Sequence, residues 1–453
     1  MNRTLHAAGA LLAIGLATAP CFAQDARIIT YDEAIRIALE QNASLRETEN
    51  AAALADINTR QARNQFLPNL SIGAQTARSY GRSFSESVGG TIDTSATSAN
   101  FNLNSGVTVF DGFANVAALR QARLAGKANQ LDVQRGRETV IFTVASNFLA
   151  LIQQSEQLRV QRENLAAQTA LEEQVQTYVD AGARTIADLY QQQANAAGAR
   201  LAVVQAERAT ELAKVDLIDA LQLDPRGAYE FEPPAPETIA AAGERPALGN
   251  LMDQAFARRA DLNAEESRVK AADQAVRVAR GGQWPTVSLS AGYGTSYNSA
   301  SDIAFNDQLD QRRGGSVGLS VSFPIFDRGS VRADTRRAEI QADNAQIAFD
   351  SARNDVGLQV RRAYVDFRSA DEQLSAAEAQ QKAAALALEA TQDRYSAGAA
   401  TLVELTQARA TQVQAASAVV SARYATLFQR TLLDYYVGIL DQPAAKTSAA
   451  PGK

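Results

Sequence analysis

The sequence predicts a mainly α fold with a smaller β portion, built from two copies of one half-protein within a single chain of 453 residues. Three observations carry this expectation. The runs from Gly112 to Asp180 and from Ser330 to Ala397 contain no Pro and few Gly, so each can continue as one helix of roughly 100 Å at ~1.5 Å per residue. Two pairs of short segments alternate apolar with small or polar residues, the period of a strand with one wet face. The same landmarks recur at one spacing: Phe326 follows Phe110, and Gly398 follows Gly182, by 216 residues. A unit of about 200 residues is far longer than the ~20 to 50 residues of a solenoid repeat, so the chain is a doubled half and not an array.

The only Cys and the only His are Cys21 and His6. Both lie in an N-terminal segment with Arg3, an apolar stretch from Ala7 to Ala19 and small residues up to Ala23. This reads as a secretory signal over residues 1–23. Lipidation of Cys21 is the competing reading; Pro20 stands where a small residue is needed, and Thr18 where Leu is usual. The mature chain would hold neither Cys nor His, which removes Cys/His zinc sites, thiol nucleophiles, disulfides, haem ligation by His and His-dependent triads. No metal or cofactor is expected, and no enzyme activity, carboxylate chemistry being the one route left. Removing Arg3 takes the 44 basic residues to 43 against 50 acidic, a net charge of -7 against -6 for the whole chain. A mildly acidic chain has no electrostatic reason to hold nucleic acid. No later apolar run reaches the ~18 residues of a membrane helix.

The first repeat is assigned to residues 24–223. A helical stretch opens at Ala43-Ser44-Leu45 and ends at Leu67-Pro68. Leu70, Ile72, Ala74 and Thr76 then alternate with Ser71, Gly73 and Gln75, and Phe101, Leu103, Val107 and Val109 alternate with Asn102, Asn104, Gly106 and Thr108. Two strands are expected there, joined by a loop over 81–100 rich in Ser, Asn and Gly. The long helix reaches the break at Ala181-Gly182-Ala183, and a shorter helix returns from Thr185 to about Leu223. Its apolar residues, such as Ile141, Val144, Phe148, Leu151 and Ile152, fall mostly three or four apart, which suits narrow helix-on-helix seams.

Residues 224–250, with five Pro, read as an inter-repeat linker. The second repeat, 251–441, follows the same order. Ala260-Asp261-Leu262 opens its helix, Trp284-Pro285 closes it, and two strands with Val287, Leu289, Ala291 and Tyr293, then Val317, Leu319, Val321 and Phe323, flank a loop over 298–314. The second break, Ala397-Gly398-Ala399, precedes a return helix from Thr401 to about Leu440, and residues 442–453 read as a loose tail. Each strand is near the ~9 to 11 residues that cross a bilayer at a tilt, with aromatics such as Tyr80, Phe110, Trp284, Tyr297 and Phe326 towards the ends. A soluble antiparallel sheet with one wet face is the other reading of such alternation. Four strands cannot close a barrel, and open edges in hydrocarbon cost ~several kcal/mol per unpaired backbone group. If these strands lie in lipid, several chains must share one barrel.

The run from Ile29 to Leu39, with Thr30, Asp32, Glu33 and Ala34, followed by Gln41-Asn42-Ala43-Ser44-Leu45, resembles the opening signature of the outer-membrane efflux (TolC-like) family. Thr30 and Glu33 also have the spacing of a capping box, which any helix start can use. The likeness continues through Phe66-Leu67-Pro68, Val109-Phe110-Asp111-Gly112, the duplication and both Ala-Gly-Ala turns. It implies a homotrimer in which three sets of four strands make one transmembrane barrel of twelve, continued by a periplasmic tube of α-helices. It also implies a passive outer-membrane duct of a tripartite efflux pump or type I secretion system, powered by an inner-membrane transporter through a periplasmic adaptor. The alternative is an exported coiled-coil scaffold that conducts nothing.

The resemblance points to a periplasmic gate at the second turn. Tyr395 matches the family's tyrosine, Glu404 its first acidic position, and Asp188 the acidic residue of the first turn. The second acidic position holds Gln407 and the arginine position holds Ala400. Arg184, in the first turn, is the candidate replacement cation; a solvated charge beside a helix start is its other reading. Three copies of Glu404 around a threefold axis would act as a weak cation filter.

Overall fold

The computed structural model describes residues 27–86, 89–232 and 247–440. The expected signal segment with Cys21, the middle of the expected linker and the expected tail lie outside the described residues.

The first repeat runs β1 (Arg27–Thr30), α1 (Tyr31–Gln41), α2 (Ala43–Asn64), β2 (Asn69–Ser85), β3 (Gly90–Phe110), α3 (Ala114–Asp180) and α4 (Ile186–Ala220). A short β4 (Tyr229–Glu232) leads to the second repeat: α5 (Leu248–Arg258), α6 (Ala260–Gly281), β5 (Thr286–Asn298), α7 (Phe305–Gln311), β6 (Gly314–Ser322), α8 (Ser330–Ser396) and α9 (Leu402–Val437). Both long helices have 67 residues, about 100 Å each at 1.5 Å per residue. Contacts repeat with the sequence. In the first half α3 packs on α1, α2 and α4, and in the second α8 packs on α5, α6 and α9. The halves join where α6 and α9 lie against α3.

The core is a collar part-way along the helices. In the first repeat Ala34, Ala38, Val140, Val144, Phe148, Leu217 and Leu221 bury together. Leu251, Ala255, Val356, Val360, Leu433 and Val437 do the same in the second. These positions correspond at the repeat spacing, so duplication preserved the seam residue by residue. One difference falls in the segment expected to be linker. There β4 pairs in parallel with β1, and Phe231 reaches Phe148 edge-on at 5.9 Å, so the chain leaving the first repeat is clipped onto its own core. The expected capping box at Thr30 is half formed: Thr30 Oγ1 accepts from the Glu33 amide at 3.4 Å, while the Glu33 carboxylate accepts from Arg27 at 2.7 Å.

The four long strands form one antiparallel sheet in the order β2-β3-β5-β6. Its register puts Leu70, Leu103, Leu289 and Leu319 on one face and Ser71, Asn104, Ser290 and Ser320 on the other. The apolar face is bare: Ile72 is 85% exposed and Val317 78%. The other face carries hydroxyls, amides and Gly. Both expected loops are more ordered than their composition suggests. β2 and β3 extend as a hairpin to Ser85 and Gly90, because Ser, Thr and Gly on both faces satisfy a strand without marking its period. The 298–314 connection contains α7, pinned by Gln308, which is 0% exposed. Gln308 Oε1 accepts from the Asn298 amide at 2.9 Å, and Nε2 donates to the carbonyls of Asn298 and Ile303 at 3.1 and 2.7 Å.

Where strand becomes long helix, each repeat uses two successive left-handed residues: Gly112 and Phe113 (φ 68° and 65°), then Arg328 and Gly329 (φ 57° and 79°). Asp111 and Asp327 cap these entries; Asp111 Oδ2 accepts from the Asn115 amide at 2.9 Å and Asp327 Oδ2 from that of Val331 at 2.7 Å. A Cβ on Gly112 would meet the Gly281 carbonyl oxygen at 2.6 Å, whereas nothing lies within 4 Å of one on Gly329. Gly329→Ala should therefore cost about 1 kcal/mol of conformational strain. Gly112→Ala adds overpacking and should cost about 3 kcal/mol or more. Thermal unfolding followed by circular dichroism ranks the two, and equal midpoints would refute the close approach.

Candidate functional site

The ends of the two helical hairpins are built alike. Gly182 and Gly398 take φ values of 74° and 76°, a geometry that Gly adopts without a Cβ penalty. The amides of Ala183 and Ala399 reach back to the carbonyls of Tyr178 and Arg394 at 2.8 and 2.7 Å, closing each long helix in the Schellman manner. Three residues after each Gly, Thr185 and Thr401 cap the return helix. The sequence Ala-Gly-Ala-X-Thr thus stops one helix and starts the next with few residues between.

Tyr395 sits in the last turn of α8 and is 4% exposed. It packs with Leu171, Val175 and Leu189 of the first hairpin and with Ala400, Leu402 and Leu405 of the second. Its ring therefore holds the two hairpins together. Its hydroxyl has no hydrogen-bond partner among the described residues, and burial raises the phenol pKa, opposed by the Arg184 charge. The Arg184 guanidinium lies 5.0 Å from the ring centroid, a cation–π contact between the two turns. Ala400, at the position where the family resemblance implies arginine, is buried in the same cluster. Arg184 thus brings a cation to Tyr395 from the other hairpin.

The two carboxylates are engaged elsewhere. Asp188 Oδ2 accepts from the amide and hydroxyl of Thr185 at 3.2 and 2.9 Å, forming a complete capping box. Glu404 Oε2 accepts from Arg394 Nη2 at 3.3 Å, and the same nitrogen donates to the Ala399 carbonyl at 3.1 Å. Both partners of that pair are about half exposed, so it is worth ~0 to 1 kcal/mol. The structure brings Arg184 and Tyr395 together, keeps Asp188 local to the first turn and gives Glu404 a cation that sequence reasoning missed. Arg394 adjoins Tyr395 in sequence, and its reach across the turn to Glu404 was the available signal.

Two buried polar features follow along the return helices. Gln192 Nε2 donates to the carbonyl and side-chain oxygen of Gln168 at 3.0 and 2.8 Å, tying α4 to α3. Arg409 of α9 is 8% exposed, and its Nε and Nη1 have no hydrogen-bond partner among the described residues. Burial lowers its pKa. A cation so placed is costly to bury and weakens the seam just behind the tip.

The tip geometry separates ring packing from hydrogen bonding at Tyr395. Tyr395→Phe removes an unsatisfied buried hydroxyl and should leave tip stability unchanged or raise it by up to ~1 kcal/mol. Tyr395→Ala should cost ~3 to 5 kcal/mol, as loss of a buried aromatic ring does. Amide hydrogen exchange at residues 171–189 and 395–405 measures both; faster exchange in the Phe variant would contradict the assignment.

A family model described as outer membrane efflux protein matches residues 34–221 and again 251–438, one match to each repeat. The chain is 26% identical over 406 residues to the pyoverdine export outer membrane protein OpmQ of Pseudomonas aeruginosa, covering 86% of this chain and 82% of that one. It is 26% identical over 411 residues to the outer membrane protein TolC of Escherichia coli, covering 88% and 80%. Among solved structures, the outer membrane protein VceC of Vibrio cholerae superposes with a TM-score of 0.78 at 20% identity, over 90% of this chain and 96% of that one.

Proposed function

The chain belongs to the outer membrane efflux protein family, and from that premise we infer that it is an outer-membrane channel of an efflux pump or type I secretion system. It resides in the outer membrane with its helical tube in the periplasm. The observation that carries this reading is the two-faced sheet. One face bears bare Leu, Ile and Val and the other uncharged Ser, Asn and Gln, while strands β2 and β6 end it with unpaired edges. Such a sheet is stable in hydrocarbon only when further strands complete it. Three chains supply twelve strands, and the long helical hairpins continue the same ring into the periplasm.

Transport through the duct is passive. A periplasmic adaptor binds the tube, and an inner-membrane transporter supplies the energy. An exported scaffold would leave the apolar face in water, so that reading has nothing in its favour here. A lumen lined by hydroxyls and amides adds no fixed charge along the barrel, which leaves the periplasmic tip as the place where charge acts on cargo. The tip is the gate. Tyr395 and its apolar cluster hold the hairpins closed, Arg184 supplies the cation that Ala400 does not, Asp188 fixes the first turn, and Glu404 faces the passage with Arg394 as its counter-ion.

The test is assembly and conductance. Leu319→Arg puts a charge on the lipid face and should cost ~2 to 4 kcal/mol per chain, abolishing the heat-sensitive trimer on gels. Ser320→Arg should assemble normally and shift reversal potentials in planar bilayers towards anion preference. Normal trimers from Leu319→Arg would remove the membrane assignment.

At the tip, Glu404→Gln should lower the cation preference of single channels, and Arg394→Gln, by releasing the carboxylate, should raise it. Identical reversal potentials for both variants would exclude Glu404 from the passage.

A further inference from the structure

The four long strands contain three charged residues, Arg78, Arg82 and Asp93, and all three lie on the β2–β3 hairpin. Arg78 and Arg82 have the parity of Leu70 and Ile72, and Asp93 is paired with Arg82 in the register. Side chains two apart share a face of a strand. The charges therefore continue the stripe that faces lipid, not the one that lines the lumen.

Their height follows from the register. Thr76 pairs with Ala99, which pairs with Tyr297, the last outward aromatic of β5. Along this face the outward positions run from Val287 at one end to Tyr297 at the other, about 33 Å of strand at ~3.3 Å per residue. Tilted as barrel strands are, that is an apolar band of ~25 Å closed by an aromatic girdle. Arg78 stands two residues beyond the girdle and Arg82 six, roughly 7 and 20 Å further along the strand. Tyr80 projects between them on the same face and is 84% exposed.

Beyond Ala77 paired with Ser98, the hairpin has no third strand beside it among the described residues, because β5 ends at Asn298, opposite Ser98. A two-stranded hairpin is marginal in water, so this projection gains from a surface to lie against. Arg78 has no ion-pair partner among the described residues. Arg82 is held through Nε by Asp93 Oδ1 at 3.2 Å, and its terminal nitrogens have no hydrogen-bond partner among the described residues. Two guanidinium groups some 13 Å apart along a strand, with a tyrosine between them and apolar side chains below, match a ligand with phosphates above and acyl chains beneath.

We propose that Arg78 and Arg82, with Tyr80, form a binding site for a phosphorylated glycolipid headgroup of the outer leaflet, one per chain, with Asp93 as the residue that positions Arg82. Each phosphate accepts from a guanidinium fork, and the acyl chains lie along Ile72 and Leu103. The site anchors the projecting hairpin at the membrane surface. It rests on the outer-membrane reading, which conductance in phosphatidylcholine bilayers tests separately on the same protein.

The experiment is native mass spectrometry of detergent-purified trimer with bisphosphorylated lipid A, and with inorganic phosphate as competitor. Wild-type protein should retain lipid A, and Arg78→Gln with Arg82→Gln should weaken retention about tenfold or more, the scale of a lost charge-assisted contact. Asp93→Asn should weaken it less, through loss of Arg82 orientation alone. Phosphatidylcholine conductance of the double variant verifies that it is folded and assembled. Undiminished lipid A binding by that folded variant would overturn the site. Complete displacement of lipid A by millimolar inorganic phosphate would overturn the lipid assignment in favour of a free-anion site.

Discussion

Backbone pairing in hydrocarbon is the constraint from which the rest of this structure follows. Each chain offers a sheet of four strands whose edges, β2 and β6, have no partner within the chain. Water would tolerate those edges; lipid does not, since each unpaired group costs ~several kcal/mol there. Association is therefore a condition of the β portion being stable where its apolar face requires it to be. Once several sheets share one ring, every helix that continues from a strand joins a ring too. The turns at Gly112-Phe113 and Arg328-Gly329 convert strand direction into helix direction in both repeats with two successive left-handed residues at corresponding positions.

Stability is unevenly distributed along the chain. The collar buries large apolar side chains from both repeats, with Phe148, Leu217 and Leu221 fully enclosed and β1 and β4 clipped over them. The tip has one smaller cluster, a cation–π contact and a half-exposed ion pair. A structure of this kind opens locally where its contacts are fewest. On the proposed function the collar would keep its shape while the tips separate, and Arg409, whose Nε and Nη1 have no hydrogen-bond partner among the described residues, would lower the cost of separation further.

The long helices and both tip turns are legible in the sequence because they depend on local chemistry. Absence of Pro and Gly permits the helices, and Gly followed three residues later by Thr marks each turn. The duplication is legible because insertions have hardly disturbed its spacing, and the two family matches fall on its halves. What escaped depends on non-local pairing. The upper β2–β3 hairpin has Ser, Thr and Gly on both faces, with Tyr80, Phe84 and Ile92 the only large apolar residues scattered among them, and so carries little period to read. α7 is held by Gln308, a residue whose role comes from three hydrogen bonds to a neighbouring strand end. β4 acquires its partner from a segment two hundred residues earlier.

At the candidate gate, residue identity was easier to read than pairing. Tyr395, Arg184, Asp188 and Glu404 all lie at the tips, yet only the first two touch. The chemistry explains the division. A carboxylate beside a helix N-terminus is already served by backbone amides and by its capping Thr, so Asp188 has little left to offer a distant cation. The Glu404 carboxylate likewise accepts from the Thr401 hydroxyl, and from Arg394 besides. The Tyr395 hydroxyl has no hydrogen-bond partner among the described residues, and among them Arg184 forms no ion pair with Asp188, whose Oδ2 is taken by Thr185. The two groups left over by local capping are the ones that meet across the hairpins, so closure of the tip uses what helix termination did not consume.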